Sequence, residues 1–211
     1  EQLLDELTDV ISIIKNFYNL FKLKTKFFLA TMPDQALGDI NLWKKAEKAL
    51  EEALKKNKLD YETKEKAGAF YGPKIDVHVT DSLEREWQLA TIQLDFNLPE
   101  RFNLTYEGKD GKKHRPVVIH RAIFGTFERF IGILTEHYGA KFPLWLSPVQ
   151  VRILTLTDDN KKYAKEIYEK LKKENIRVGL DDKSETIGKK VRDAQIQHIN
   201  YIVSVGEKEE K

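Results

Sequence analysis

Apolar positions along the chain change their spacing several times, and those changes divide it. Leu3, Leu4, Leu7, Ile11, Ile14, Tyr18 and Phe21 recur every three or four residues, which predicts an amphipathic helix. Lys26 to Ala30 reads as a short strand and Pro33 to Gly38 as a loop. A second helix is expected from Asn41 to Asn57, with Trp43, Ala46, Leu50 and Leu54 on one face and its Lys and Glu residues solvated. Ile75, Val77 and Val79 then alternate with Asp76, His78 and Thr80, as on a strand with one wet face. Glu86 to Phe96 reads as another strand. Its two-residue period puts Glu86, Gln88 and Ala90 on one face and Trp87, Leu89, Thr91 and Gln93 on the other.

Val117, Val118 and Ile119 read as a buried strand that ends at His120. Gly125 turns the chain, and Phe127, Phe130, Ile131 and Leu134 form the apolar stripe of a helix packed on that strand. Asp110-Gly111, between Leu104–Tyr106 and the Val117 strand, signals a hairpin. Phe142 to Pro148 breaks the helix and reads as a linker. Beyond it the rhythm is strand (149–156), helix (161–173, with Tyr163, Ile167 and Leu171 inward), strand (176–180), helix (187–198, with Val191 and Ala194 inward) and strand (201–205). Such alternation argues for parallel pairing. The expected organisation is therefore two domains, 1–145 and 146–211, of α/β (α+β) class: an antiparallel sheet with helices, then a small α/β domain.

Composition narrows the partners. The 211 residues hold 36 Lys and Arg against 34 Asp and Glu, a net charge of +2, so any nucleic-acid contact must come from a local patch. There is no cysteine, which suits a reducing cytosol and leaves His, Asp and Glu as metal ligands. No apolar run approaches the ~20 residues that span a bilayer, and the first residues lack the order of a signal peptide. The chain starts without Met in helical rhythm and stops straight after a strand, so both ends read as cut.

Candidate chemistry sits in a few places. Arg129 and Thr126 lie off the helix stripe, and a guanidinium there is either a bidentate phosphate ligand or an ordinary surface ion-pair arginine. Gln88 and Gln93 carry amides that read hydroxyl or adenine edges, or that satisfy neighbouring backbone. Gly68, Gly72 and Pro73 mark a tight turn just before Lys74. Lys183, Lys189, Lys190 and Arg192 cluster around the start of a helix, suited to phosphate or to a solvated face. Lys109, Lys112, Lys113, His114 and Arg115 read as a solvated basic loop. His120, taken alone, is a hydrogen-bonded structural histidine.

The run I-H-R-A-I-F-G-T-F-E-R-F-I-G-I-L, starting at Ile119, resembles the third signature motif of class II aminoacyl-tRNA synthetases, and of the threonyl-tRNA synthetase family in particular. G-A-F-Y-G-P-K-I-D and W-Q-L-A-T-I-Q-L-D-F are similar to two further blocks of that family, in the same order. The resemblance implies that Tyr71 and Gln93 line a threonine pocket, that Gln88 and Thr91 lie near ATP, and that Lys74 borders the reacting centre. A regular strand, however, would point Gln88 away from Thr91 and Gln93. By the same likeness Arg129 grips the ATP phosphates, and His120 is one ligand of a zinc ion that holds threonine. Magnesium is implied by ATP.

The last segment resembles the family's anticodon-binding domain, which makes tRNA a partner of Lys183, Lys189, Lys190 and Arg192. Ser184, His198 and Glu209 fall near positions where the family touches anticodon bases. A cytoplasmic enzyme, a homodimer when complete, is implied as well. Ala67 and Met32 stand where the family usually has glutamate and arginine. The first two class II motifs and the other zinc ligands are absent, and His78, His114, His137 and His198 do not match ligand positions. The chain by itself is thus expected to be inactive or nearly so, with a non-catalytic tRNA-binding or regulatory module as the alternative.

Overall fold

The computed structural model describes residues 2–210. They form two compact units, one up to Ile133 and one from Leu134 onward. The first contains α1 (Leu3–Leu20), β1 (Thr25–Ala30), α2 (Ile40–Lys56), β2 (Tyr61–Lys64), β3 (Lys74–Thr80), β4 (Glu86–Asp95), α3 (Asn97–Arg101), β5 (Tyr106–Glu107), β6 (Lys113–His114), β7 (Val118–Ala122) and the start of α4 (Phe127–Tyr138). Five strands form one sheet in the order β2-β1-β3-β4-β7. Neighbours from β1 through β7 are antiparallel, and β2 runs parallel to β1. Leu7, Ile11 and Ile14 of α1, Ala46, Leu50 and Leu54 of α2, and Ile75, Val77, Ile92 and Leu94 of the sheet are all fully buried. The helical and two-residue periods put those side chains on one side of their elements, and burying them drives the layers together.

Several expectations change. The face of β3 opposite the core is not wet, because Asp76 is buried there. In α4 the buried stripe is Phe130, Ile133 and Leu134, while Phe127 and Ile131 are 70% and 57% exposed. The stripe is set by Phe130, whose ring packs at 5.4 Å from Phe17 and 5.1 Å from Phe21 of the α1 end. β7 is half-buried at the end of the sheet, and His120 sits in its middle rather than at its end. The Asp-Gly turn does close a hairpin, with Gly111 at φ +68° and the Gly108 amide donating to the Lys112 carbonyl at 2.8 Å. Its return strand is β6, however, so β5 and β6 form a separate ribbon. β2 and α3 had no apolar rhythm to announce them. β2 is held by pairing with β1, and α3 is a turn and a half started by the Asp95 carboxylate, which accepts from the Asn97 and Leu98 amides at 2.8 and 2.9 Å.

The second unit holds β8 (Val151–Thr155), α5 (Lys161–Lys173), β9 (Val178–Asp181), α6 (Ile187–Ile196) and β10 (Tyr201–Val205). Its sheet is parallel throughout in the order β10-β8-β9. Ile153, Ala164 and Val205 form the core, with Tyr163, Ile167 and Leu171 packed against it.

Candidate active site

Strand register assembles the site. Lys74 of β3 is opposite Gln93 of β4, and Gln93 is opposite His120 of β7. Two residues along, Asp76 is opposite Thr91. These side chains share the face away from Ile75, Ile92 and Leu94, because strand residues alternate. The Tyr71 hydroxyl donates to Gln93 Oε1, and its ring meets the His120 imidazole edge-on at 5.7 Å. Burial, and after it the nearby Asp95 carboxylate, hold the Tyr71 phenol above its ordinary pKa, so it is a neutral donor at pH 7. Tyr71 arrives there because the next residue is glycine: a Cβ on Gly72 would fall 1.6 Å from the Leu94 carbonyl oxygen. No side chain fits where that turn lies on β4.

The expected facing of β4 is overturned around Gln88. Val77 is opposite Ala90 but His78 is opposite Gln88, so Leu89 is an extra residue in β4. This β-bulge turns Leu89 into the core, where it is 3% exposed, and brings Gln88 round to the side of Thr91 and Gln93. Ala90 accordingly faces the core, and Leu89 does not share the face of Thr91. Gln88 Nε2 donates to Asp76 Oδ1 at 2.7 Å and Thr91 Oγ1 donates to the same oxygen at 3.0 Å. Lys74 Nζ lies 2.7 Å from Asp76 Oδ2. Arg129 joins the same end of the strand. Its Nη1 donates to the Gln88 carbonyl at 3.3 Å and its guanidinium lies 5.6 Å from the Trp87 ring centre. Gly125, at φ +73°, makes the turn that starts α4 there.

His120 has a buried partner. Its Nε2 lies 3.0 Å from Oδ2 of Asp95, a residue with no exposed surface. A hollow of about 280 Å³ opens between Phe70, Tyr71, Asp95, Leu98 and His120. Among the described residues no group of three His, Cys, Asp or Glu side chains is placed to hold a metal. A zinc site needs three or four protein ligands, so the residues present do not build one, and His120 fits as one ligand at most. Asp76, Asp95 and Asn97, whose Nδ2 donates to the Tyr71 carbonyl at 2.8 Å, were not singled out from the sequence. Spacing offered a signal for two of them: Asp76 is two residues from Lys74, and Asp95 two from Gln93, each pair on one strand face.

In the second unit the basic cluster separates. Lys183 and Arg192 are exposed, and Lys189 is exposed but paired with Glu185. Lys190 is a correction: it is 2% exposed. Its ammonium donates to the Thr155 carbonyl at 2.9 Å, the Thr155 hydroxyl at 3.2 Å and the Asp181 carbonyl at 3.4 Å. It ties α6 to β8 and β9, and its burial sets it apart from the exposed cations. Thr186 caps α6, accepting from the Lys189 amide. Ser184 lines a groove of about 490 Å³ with Thr157, Lys183 and Thr186. His198 lies past the opposite end of α6, and Glu209 accepts from the Gly206 amide at 3.0 Å. Ser184 and His198 are therefore not brought together.

Comparison with known proteins follows this division. Residues 1–138 match the tRNA synthetase class II core domain (G, H, P, S and T), and residues 150–211 match the anticodon binding domain. The chain is similar to a threonine–tRNA ligase of Carboxydothermus hydrogenoformans, 53% identical over 99% of this chain and 33% of the relative. It is 51% identical to the threonine–tRNA ligase of Desulforamulus reducens, with the same coverage of both. The chain thus spans about a third of the length of the curated relatives it matches. A crystal structure of the RNA binding domain of threonyl-tRNA synthetase from Cryptosporidium parvum superposes with a TM-score of 0.93 at 41% identity, over 100% of this chain and 53% of that one.

Proposed function

The chain belongs to the class II tRNA synthetase core family (G, H, P, S and T), and from that premise we propose that it is the C-terminal part of a threonine–tRNA ligase. Residues 1–145 are the end of a catalytic domain and 146–211 an anticodon-binding domain. In this reading a threonine carboxylate oxygen attacks the α-phosphorus of ATP, the bond to the leaving pyrophosphate breaks, and a tRNA hydroxyl then attacks the carbonyl carbon of the threonyl-adenylate, losing its proton as the bond to the departing AMP breaks. No protein nucleophile is required, so the work is positioning and electrostatic stabilisation.

One observation carries the reading: Lys74, Gln93 and His120 lie in one row across three adjacent strands, with Tyr71 bonded to Gln93. Tyr71 and Gln93 would take threonine in the adjoining hollow, and Thr91 and Gln88 would take the nucleotide. Arg129, spread over Trp87, would meet its phosphates as a bidentate fork. Magnesium accompanies ATP. Zinc, if it is used, takes His120 as one ligand and finds the others outside this chain. Lys183, Lys189 and Arg192 would meet tRNA phosphates, and the setting is a cytoplasmic translation enzyme, dimeric when complete. Among the described residues no helix is long and apolar enough to cross a membrane.

Threonine-dependent exchange of pyrophosphate into ATP tests the division of labour. The 211-residue chain alone is expected to give little or none, because one arginine meets the phosphates and the metal site is incomplete; robust exchange overturns this. The exposed cations of the second unit favour a second reading, a non-catalytic tRNA-binding or regulatory module. Salt-dependent binding of threonine tRNA without exchange, in a longer chain that includes the upstream residues, would select it.

A further inference from the structure

Asp76 lies beneath the cleft, and the reading above gives it no part. Its side chain is 7% exposed, and it is bonded to three residues that the reading does use. Oδ1 accepts from Gln88 and Thr91, and Oδ2 pairs with the Lys74 ammonium. We infer that Asp76 is the positioning residue of the nucleotide side of the cleft, its single carboxylate fixing Lys74, Gln88 and Thr91 in one arrangement. The inference rests on the adenylate-forming reading proposed above.

Three lines support it. An ionised carboxylate is an acceptor at both oxygens, with about four lone-pair directions, and all three neighbours are donors. An amide in its place would turn a donor toward at least one of them. Second, Gln88 reaches Asp76 only because Leu89 is bulged out of the ladder, and bulges gather beside sites where a side chain must be re-aimed. Third, pairing changes what Lys74 contributes. Its charge is matched by Asp76, so it supplies a directed N–H donor, while Arg129, whose guanidinium meets a carbonyl and an indole face, supplies the net positive charge. Loss of Asp76 would leave an ammonium and two donors free to turn away from the nucleotide.

The test is a titration of the isotope-labelled 211-residue chain with Mg·ATP, read by NMR at the Gln88 side-chain amide and the Thr91 methyl. In the unmodified chain both signals are expected to move with ATP, and the Gln88 amide protons to exchange slowly with solvent. Asp76→Asn is expected to weaken ATP about tenfold and to shift the Gln88 amide even without nucleotide. Thr91→Val, which keeps the shape, reads the same coupling if Asp76→Asn fails to fold: it moves the Gln88 amide only if both donors share one oxygen. ATP shifts in the unmodified chain with unchanged affinity in Asp76→Asn, or a Gln88 amide indifferent to Thr91→Val, overturn the inference alone. Should neither residue respond to ATP in the unmodified chain, the same titration is read in a chain extended upstream to the length of the relatives, and no ATP shift there overturns the adenylate reading and the inference with it.

Discussion

The sheet cleft of the first unit and the α6 surface of the second both gather polar residues, and they do so in opposite ways. In the cleft, buried carboxylates hold the working groups from below: Asp76 holds Lys74, Gln88 and Thr91, and Asp95 holds His120. On α6 the cations stand in solvent, except Lys190, which takes the buried role itself and binds carbonyls of β8 and β9. Chemistry on a small substrate needs side chains fixed in place, whereas a polyanion is met by charges that only have to be near it. Four cations within ten residues therefore do not form one site, and burial decides which of them belongs to the fold.

The largest effect should come from breaking the exception. Lys190→Ala strips three acceptors of their donor and leaves a void, at a cost of about 2–4 kcal/mol. A urea titration of the second unit's transition measures it. A loss below ~0.5 kcal/mol would show that Lys190 is not part of the core and would restore it to the RNA-facing set.

Acid sharpens the comparison from the other side. Asp81, at the β3–β4 turn, accepts from the Leu83 and Arg85 amides, Arg85 Nε and the Trp87 indole, at 2.7 to 2.9 Å. Burial alone would raise its pKa, but hydrogen bonds from Trp87, Arg85 and Leu83 hold it well below the usual carboxylate range. A depressed folded pKa gives stability that is present above the unfolded value of about 3.9 and is lost as pH falls below it. Asp81→Asn should therefore lower the urea midpoint of the first unit at pH 7, and the gap to the parent should narrow between about pH 4 and pH 2. A gap independent of pH would refute the charge-based account.

The smallest effect should separate the exposed cations. Lys183→Ala and Arg192→Ala should each reduce the salt slope of tRNA binding by about 0.7–0.9, as expected for one lost phosphate contact. Lys189→Ala, with its charge already matched by Glu185, should change it less. Equal slopes for all three would mean that the ion pair opens on binding.

Much of this was legible because one periodicity served one surface. The stripes of α1, α2 and α5 marked the cores; of the motif residues, Gln93 stands in the row with Lys74 and His120 and Tyr71 is bonded to it, whereas Arg129 meets the Gln88 and Trp87 end of β4. What stayed hidden depended on partners distant in sequence. Lys190 has the spacing of a solvated residue, and only the carbonyls of Thr155 and Asp181 make it a core one. Phe127 and Phe130 read alike until the rings of Phe17 and Phe21 select the second. β2 has four residues with no alternation and exists because β1 offers a free edge.

The supernumerary Leu89 has a consequence for how this strand tolerates change. Removing that one amino acid would restore strict alternation with Gln88 still opposite His78 and Ala90 still opposite Val77, so the Gln88 amide would keep its side while the core lost a buried leucine. A one-codon deletion there would be felt first as a cavity and only second at the nucleotide edge, so the extra residue serves the hydrocarbon layer as well as the face above it.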